Sequence, residues 1–151
     1  MDSRNGGVDE QARVTVGCRD DQAFGVTFCD RSDSDGYAVH YAVELRAPGL
    51  SARLDGVVAW LGSPGLASFL DGLAADPRPW EGERSWRTDD RDLTVSAVFR
   101  SGGYLGLTWN LRPWRRAAGD WSASATTWLE AGEQMSAFAA DIRHFLARER
   151  A

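Results

Sequence analysis

Residues 37–47 alternate between apolar and polar side chains with the period of two that a half-buried strand requires. Tyr37, Val39, Tyr41, Val43 and Leu45 share one face, and Ala38, His40, Ala42, Glu44 and Arg46 share the other. Pro48-Gly49 reads as a two-residue turn. Pairing across it sets Leu45 against Ala52 and Val43 against Leu54, with Glu44 facing Arg53 on the polar side. Apolar meets apolar and opposite charges meet, so the register supports itself. Two shorter runs before it, 13–18 and 23–29, read as a hairpin, followed by an acidic loop at 30–36.

A second hairpin is predicted at 93–100 and 104–112 around Ser101-Gly102-Gly103. Its register stacks Phe99 on Leu105, Ala97 on Leu107, Val95 on Trp109 and Leu93 on Leu111. Residues 121–130 read as a last strand of mostly small polar residues. Helical spacing appears twice. Leu66, Phe69, Leu70 and Leu73 follow Ser63-Pro64, which reads as an N-cap and first-turn proline, and Pro77 ends the run. Met135, Phe138, Ala139, Ile142, Phe145 and Leu146 form the stripe of a longer helix at 133–148. Residues 77–92 and 113–120 read as loops, and 1–12 as a flexible tail ahead of one domain at 13–148.

The order is therefore ββββ-α-βββ-α. Sequential hairpins without regular β-α alternation predict an α+β fold: a single antiparallel sheet of about seven strands with both helices packed on one face. The other face is then left to solvent or a partner.

Composition narrows the function classes. The chain has 151 residues, room for one domain, and a net charge of -5. Every one of its 17 basic residues is Arg, and it carries seven Trp but a single Ile, Ile142. The acidity is concentrated in residues 1–36, where eight acids face four Arg for a local net of -4. With no extended positive field, nucleic-acid binding is not expected. The longest apolar stretch, around 57–61, is far short of a membrane span. The polar start lacks the apolar segment of a secretory signal, so the expected compartment is the cytoplasm. Cys18 and Cys29 agree with that. In the proposed hairpin they lie roughly six residues apart at ~3.3 Å each, beyond the ~7 Å that a disulfide bridges.

Catalytic motifs are not evident. His144 falls on the solvent side of its helix, flanked by Asp141 and Arg148. His40 lies on the polar face of its strand, near Glu44 and Asp55, with no nucleophile or oxyanion site nearby in sequence. The carboxylates Glu81, Glu83, Asp89, Asp90 and Asp92 are interleaved with Arg84, Arg87 and Arg91, a pattern of local charge balancing. Arg112, Arg115 and Arg116 around Trp114 read as a solvated loop. Metal-ligand spacings and a phosphate-cradling glycine loop are both absent, so no catalytic residue, metal or cofactor is expected.

One surface is distinctive. Trp128 shares its strand face with Ser122, Ser124 and Thr126, and the neighbouring hairpin supplies Thr94, Ser96, Arg100, Tyr104, Thr108 and Asn110. If these faces coincide, Arg100, Tyr104 and Trp128 anchor a Ser/Thr-rich surface, and these residue types are enriched at interface hot spots.

The segments LASFLDGLAAD, WEGERSW, LTVSAVFRSGGYLGLTWNL and GEQMSAFAADIRHFL, with a tryptophan-bearing strand between the last two, resemble a family of short actinobacterial proteins of unknown function. More distantly they are similar to WapI-type immunity proteins of bacterial polymorphic toxin systems. The resemblance spans 13–148 and carries over no functional residues. The all-Arg basic set suits a high-GC genome. The immunity likeness implies a cytoplasmic, non-enzymatic inhibitor that occludes a toxin. From the residues alone two readings stay open: a protein-binding module, or a small-molecule binder or enzyme with its site between sheet and helices, near His40 or 77–92. A purely structural or oligomeric subunit is a third, and the sequence does not set the oligomeric state.

Overall fold

A computed structural model describes residues 13–17, 24–33, 36–60, 62, 64–113 and 120–147. Its elements are β1 (Val14–Gly17), β2 (Gly25–Ser32), β3 (Ala38–Ala47), β4 (Leu50–Trp60), α1 (Leu66–Ala74), β5 (Glu83–Arg87), β6 (Leu93–Arg100), β7 (Tyr104–Leu111), β8 (Ala123–Glu130) and α2 (Glu133–Leu146). The class is α+β and every strand pairing is antiparallel. The tail at 1–12, Cys18 and the 114–119 part of the basic loop lie outside the described residues.

The single sheet expected from the sequence is instead two four-stranded sheets, β1-β2-β3-β4 and β5-β6-β7-β8. The added strand is β5, within the stretch expected to be a loop. Its sequence, ERSWR, turns Arg84 and Trp86 inward to half-burial while Glu83, Ser85 and Arg87 stay exposed. A charged residue on the inner side hides the apolar alternation by which a strand is recognised. Short, charged strands are also what sheet edges favour, and β5 is an edge.

The placement of the helices changes with the sheets. They do not blanket one face of one sheet. Inner faces of both sheets and both helices share one core. Phe28 of β2 meets Trp109 of β7 edge-on at 5.5 Å between centroids, and Phe138 of α2 touches both, at 6.4 and 6.0 Å. Arg143 of α2 reaches Asp71 of α1 at 2.6 Å, tying the helices together. Two opposed sheets bury each other's apolar faces, so two short helices suffice to complete the core.

The predicted registers are present. Leu45 pairs with Ala52, Val43 with Leu54 and Glu44 with Arg53. Leu93–Leu111, Val95–Trp109, Ala97–Leu107 and Phe99–Leu105 form the second ladder. Gly49, at φ 78, provides the positive φ of the first turn. Two bulges were not foreseen, between Tyr41 and Val43 on β3 and between Cys29 and Ser32 on β2. Helix α1 starts later than expected: Gly65 is its N-cap, without a side-chain cap, so Pro64 precedes the helix instead of opening it. Among the described residues no helix is long and apolar enough to cross a membrane.

Candidate functional site: the outer face of the second sheet

Alternation along β6, β7 and β8 sends Val95, Ala97, Leu107, Trp109 and Leu129 into the core. The partners of this alternation face outward, and the ladders bring them side by side. Arg100 pairs directly with Tyr104 across the β6–β7 turn, and Gly106 pairs with Trp128. The guanidinium of Arg100 stands 5.6 Å from the Trp128 ring centroid, within cation–π range. The three residues singled out from the sequence therefore do converge on one surface. Tyr104 is 47% and Trp128 46% exposed, a high value for side chains of this size.

Gly106 explains how Trp128 is held. A Cβ at this position would lie 2.7 Å from Trp128 Cζ3 and 2.8 Å from Cη2, so the indole lies across the bare glycine backbone. Covering a strand glycine with a cross-strand aromatic restores packing that the missing side chain forfeits. The sequence reading missed Gly106. The available signal was a glycine in mid-strand with a tryptophan at its cross-strand position.

Farther along the same face, polar rungs replace aromatic ones. The hydroxyls of Thr108 and Thr126 are hydrogen-bonded at 2.8 Å, and Asn110 Nδ2 donates to Ser124 Oγ at 2.7 Å. Beneath, on the core side, Trp109 Nε1 donates to Thr127 Oγ1 at 3.0 Å, linking β7 to β8 from below. The aromatic and guanidinium groups thus sit on a sheet pinned from both sides.

The remaining candidates do not assemble into a site. Asp55 is engaged by Arg53 Nε at 2.9 Å and pairs with no histidine, while Arg53 also binds Glu44 and Asp30. His40 lies opposite Val58, and His144 is exposed. The local balancing expected of the interleaved loop charges is not found: no ion pair joins them to one another among the described residues. Arg84 pairs outside the loop, with Asp76 at 2.9 Å, and stacks over Trp80 at 4.1 Å. Asp92 is buried, accepting a hydrogen bond from Thr88 Oγ1, whose oxygen in turn accepts the Asp92 and Leu93 amides. Burial pushes its carboxyl above the usual range, against the lowering effect of Thr88. Cys29 is a buried free thiol, pushed up by burial and by Asp30 and Glu44. Among the described residues no group of three or more His, Cys, Asp or Glu could hold a metal. Of the tryptophans, Trp109 is a core residue and Trp80 and Trp86 pack partly against the core.

Among curated proteins and solved structures, nothing matches the chain. A family model does, across residues 17–149, and so covers β2 through α2 and every residue of the outer face. The chain belongs to DUF6228, a family of unknown function.

Proposed function

We propose that this chain is a non-enzymatic protein-binding module of the cytoplasm, and that the outer face of the second sheet, centred on Arg100, Tyr104 and Trp128, is its contact surface. The observation that carries the reading is two large aromatics, each about half exposed, on paired strands instead of a loop, Tyr104 at the start of β7 and Trp128 on the edge strand β8. Trp128 is held over Gly106 and beside Arg100 before any partner arrives. Binding to it costs little side-chain ordering, which is where association otherwise loses free energy. The Thr and Asn rungs supply a polar rim that stays hydrogen-bonded when uncovered. The mode of action is occlusion, as an immunity-like inhibitor covers a toxin.

The test is affinity capture with the intact chain, followed by titration of the captured protein against purified variants. Tyr104→Ala/Trp128→Ala should weaken binding by at least about 100-fold, the effect of losing two hot-spot residues. Tyr37→Ala, which removes an exposed aromatic outside this face, should bind like the parent. Equal affinity of the double variant and the parent, with both folded by circular dichroism, would refute the assignment.

A further inference from the structure

A second feature lies away from this face and shares none of its residues. Between the end of β4, the start of α1 and the end of β5 there is an open cleft of about 40 Å³, room for a few waters. Its walls include Trp60 and Trp86, and its floor is Tyr41. Three kinds of hydrogen-bond donor meet there.

The first is the start of α1. Pro64, Gly65 and Leu66 line the cleft, and the helix has no side-chain cap and no acidic residue in its first turn. Among the described residues, no side chain caps its first amides or the positive end of its dipole. The second is Tyr41. The residue is only 2% exposed, and its ring is packed on Phe28 and Phe145. Its hydroxyl has no hydrogen-bond partner among the described residues. The hydroxyl is not among the fully buried unpartnered atoms, so it is open to a partner from the cleft that Tyr41 lines. Burial, reinforced by the nearby Asp92, holds the phenol far above its ordinary range, so it remains a donor at any physiological pH. The third is Arg87, which lines the cleft and forms no ion pair among the described residues. Asp89 is the one opposing charge on the lining.

We propose that this cleft binds a carboxylate carried on a flat apolar body. The carboxylate takes the α1 amides, the Tyr41 hydroxyl and the Arg87 guanidinium. The body lies along Trp60 and Trp86, with Val58 and Leu146 behind. A phosphate suits the site less, because its larger charge is opposed by Asp89 and it makes no use of the aromatic walls. The carboxylate can come from a free metabolite or from the C-terminus of a peptide, and the probes below separate these sources.

Amide chemical shifts of the intact chain are followed on titration with phenylacetate, its neutral isostere phenylacetamide, the cation phenethylammonium, and an acetylated Ala-Phe dipeptide with a free or amidated C-terminus. Phenylacetate should shift Gly65, Leu66 and Ala67 saturably, and phenylacetamide should bind at least tenfold more weakly. A free dipeptide binding tighter than phenylacetate points to a peptide terminus, and the reverse points to a metabolite; either supports a carboxylate site. Tyr41→Phe should weaken phenylacetate at least tenfold without lowering stability, since the hydroxyl it removes has no internal partner. Arg87→Gln should act in the same direction. No saturable shift by 50 mM (about the concentration at which even a weak fragment registers), equal binding of the amide, preference for the cation, or full binding by Tyr41→Phe would each overturn the proposal.

Discussion

Gly106→Ala perturbs the candidate face without removing any group from it. Gly106 has no positive φ, so its backbone accepts alanine. The obstacle is the Trp128 ring, 2.7–2.8 Å from the new Cβ, which must lift away. A tryptophan covers about 150–250 Å² in a fold. With Trp128 46% exposed, roughly 100 Å² of it is covered, which at ~25 cal/mol/Å² is at most ~2.5 kcal/mol. Lifting the ring forfeits about half, ~1–1.5 kcal/mol. Alanine returns ~0.5–1 kcal/mol of backbone entropy relative to glycine in a strand. The net expectation is a loss of about 0.5 kcal/mol in the parent. In a Trp128→Ala background only the entropy term remains, so the same substitution should stabilise by ~0.5–1 kcal/mol. The change of sign gives a coupling of ~1–1.5 kcal/mol in a double-mutant cycle. Urea unfolding followed by far-ultraviolet circular dichroism measures it without relying on the deleted fluorophore. If Gly106→Ala has the same effect in both backgrounds, Trp128 is not seated on Gly106, and the preorganised face is lost with it.

Two further expectations concern the buried polar groups. Thr127→Val leaves the Trp109 indole N–H without its acceptor in the core and should cost ~1–3 kcal/mol; an unchanged urea midpoint would contradict the hydrogen bond. Asp92 has a carboxyl raised in the folded state by burial. The folded state therefore holds its proton more tightly than the unfolded chain, so this group's contribution is complete below the ordinary Asp value of about 3.9 and is lost as pH rises through the raised value. Asp92→Asn, which keeps an acceptor for Thr88, should gain stability relative to the parent between pH 4 and pH 7. A constant difference across that window would show that burial of the charge is not what raises this carboxyl.

Much of the architecture was legible along the chain. The registers about Pro48-Gly49 and Ser101-Gly102-Gly103 followed from alternation, because shifting a strand by one residue would turn its whole apolar set outward. The two helix stripes were equally plain, since Leu66, Leu70 and Leu73, and Met135, Phe138 and Ile142, are buried at the spacing that predicts them. The same alternation put Arg100 and Tyr104 on one face of their hairpin and Trp128 on one face of its strand, and the β7–β8 ladder makes the two faces one. β5 escaped because Arg84 occupies an inward position, where its stem packs while its charge reaches Asp76.

What the sequence by itself determined is local: which residues alternate, which recur at helical spacing, and which side of each strand is apolar. The division into two sheets was decided only in the tertiary structure. A strand with one apolar face carries the same pattern whether a helix or another sheet covers it, and the choice rests on contacts such as Phe28 with Trp109, 81 residues apart in the chain. The seat of Trp128 on Gly106 and the meeting of Tyr41, Arg87 and the uncapped start of α1 are likewise tertiary. No spacing encodes them, because each joins segments whose separation is set by how the whole core closes.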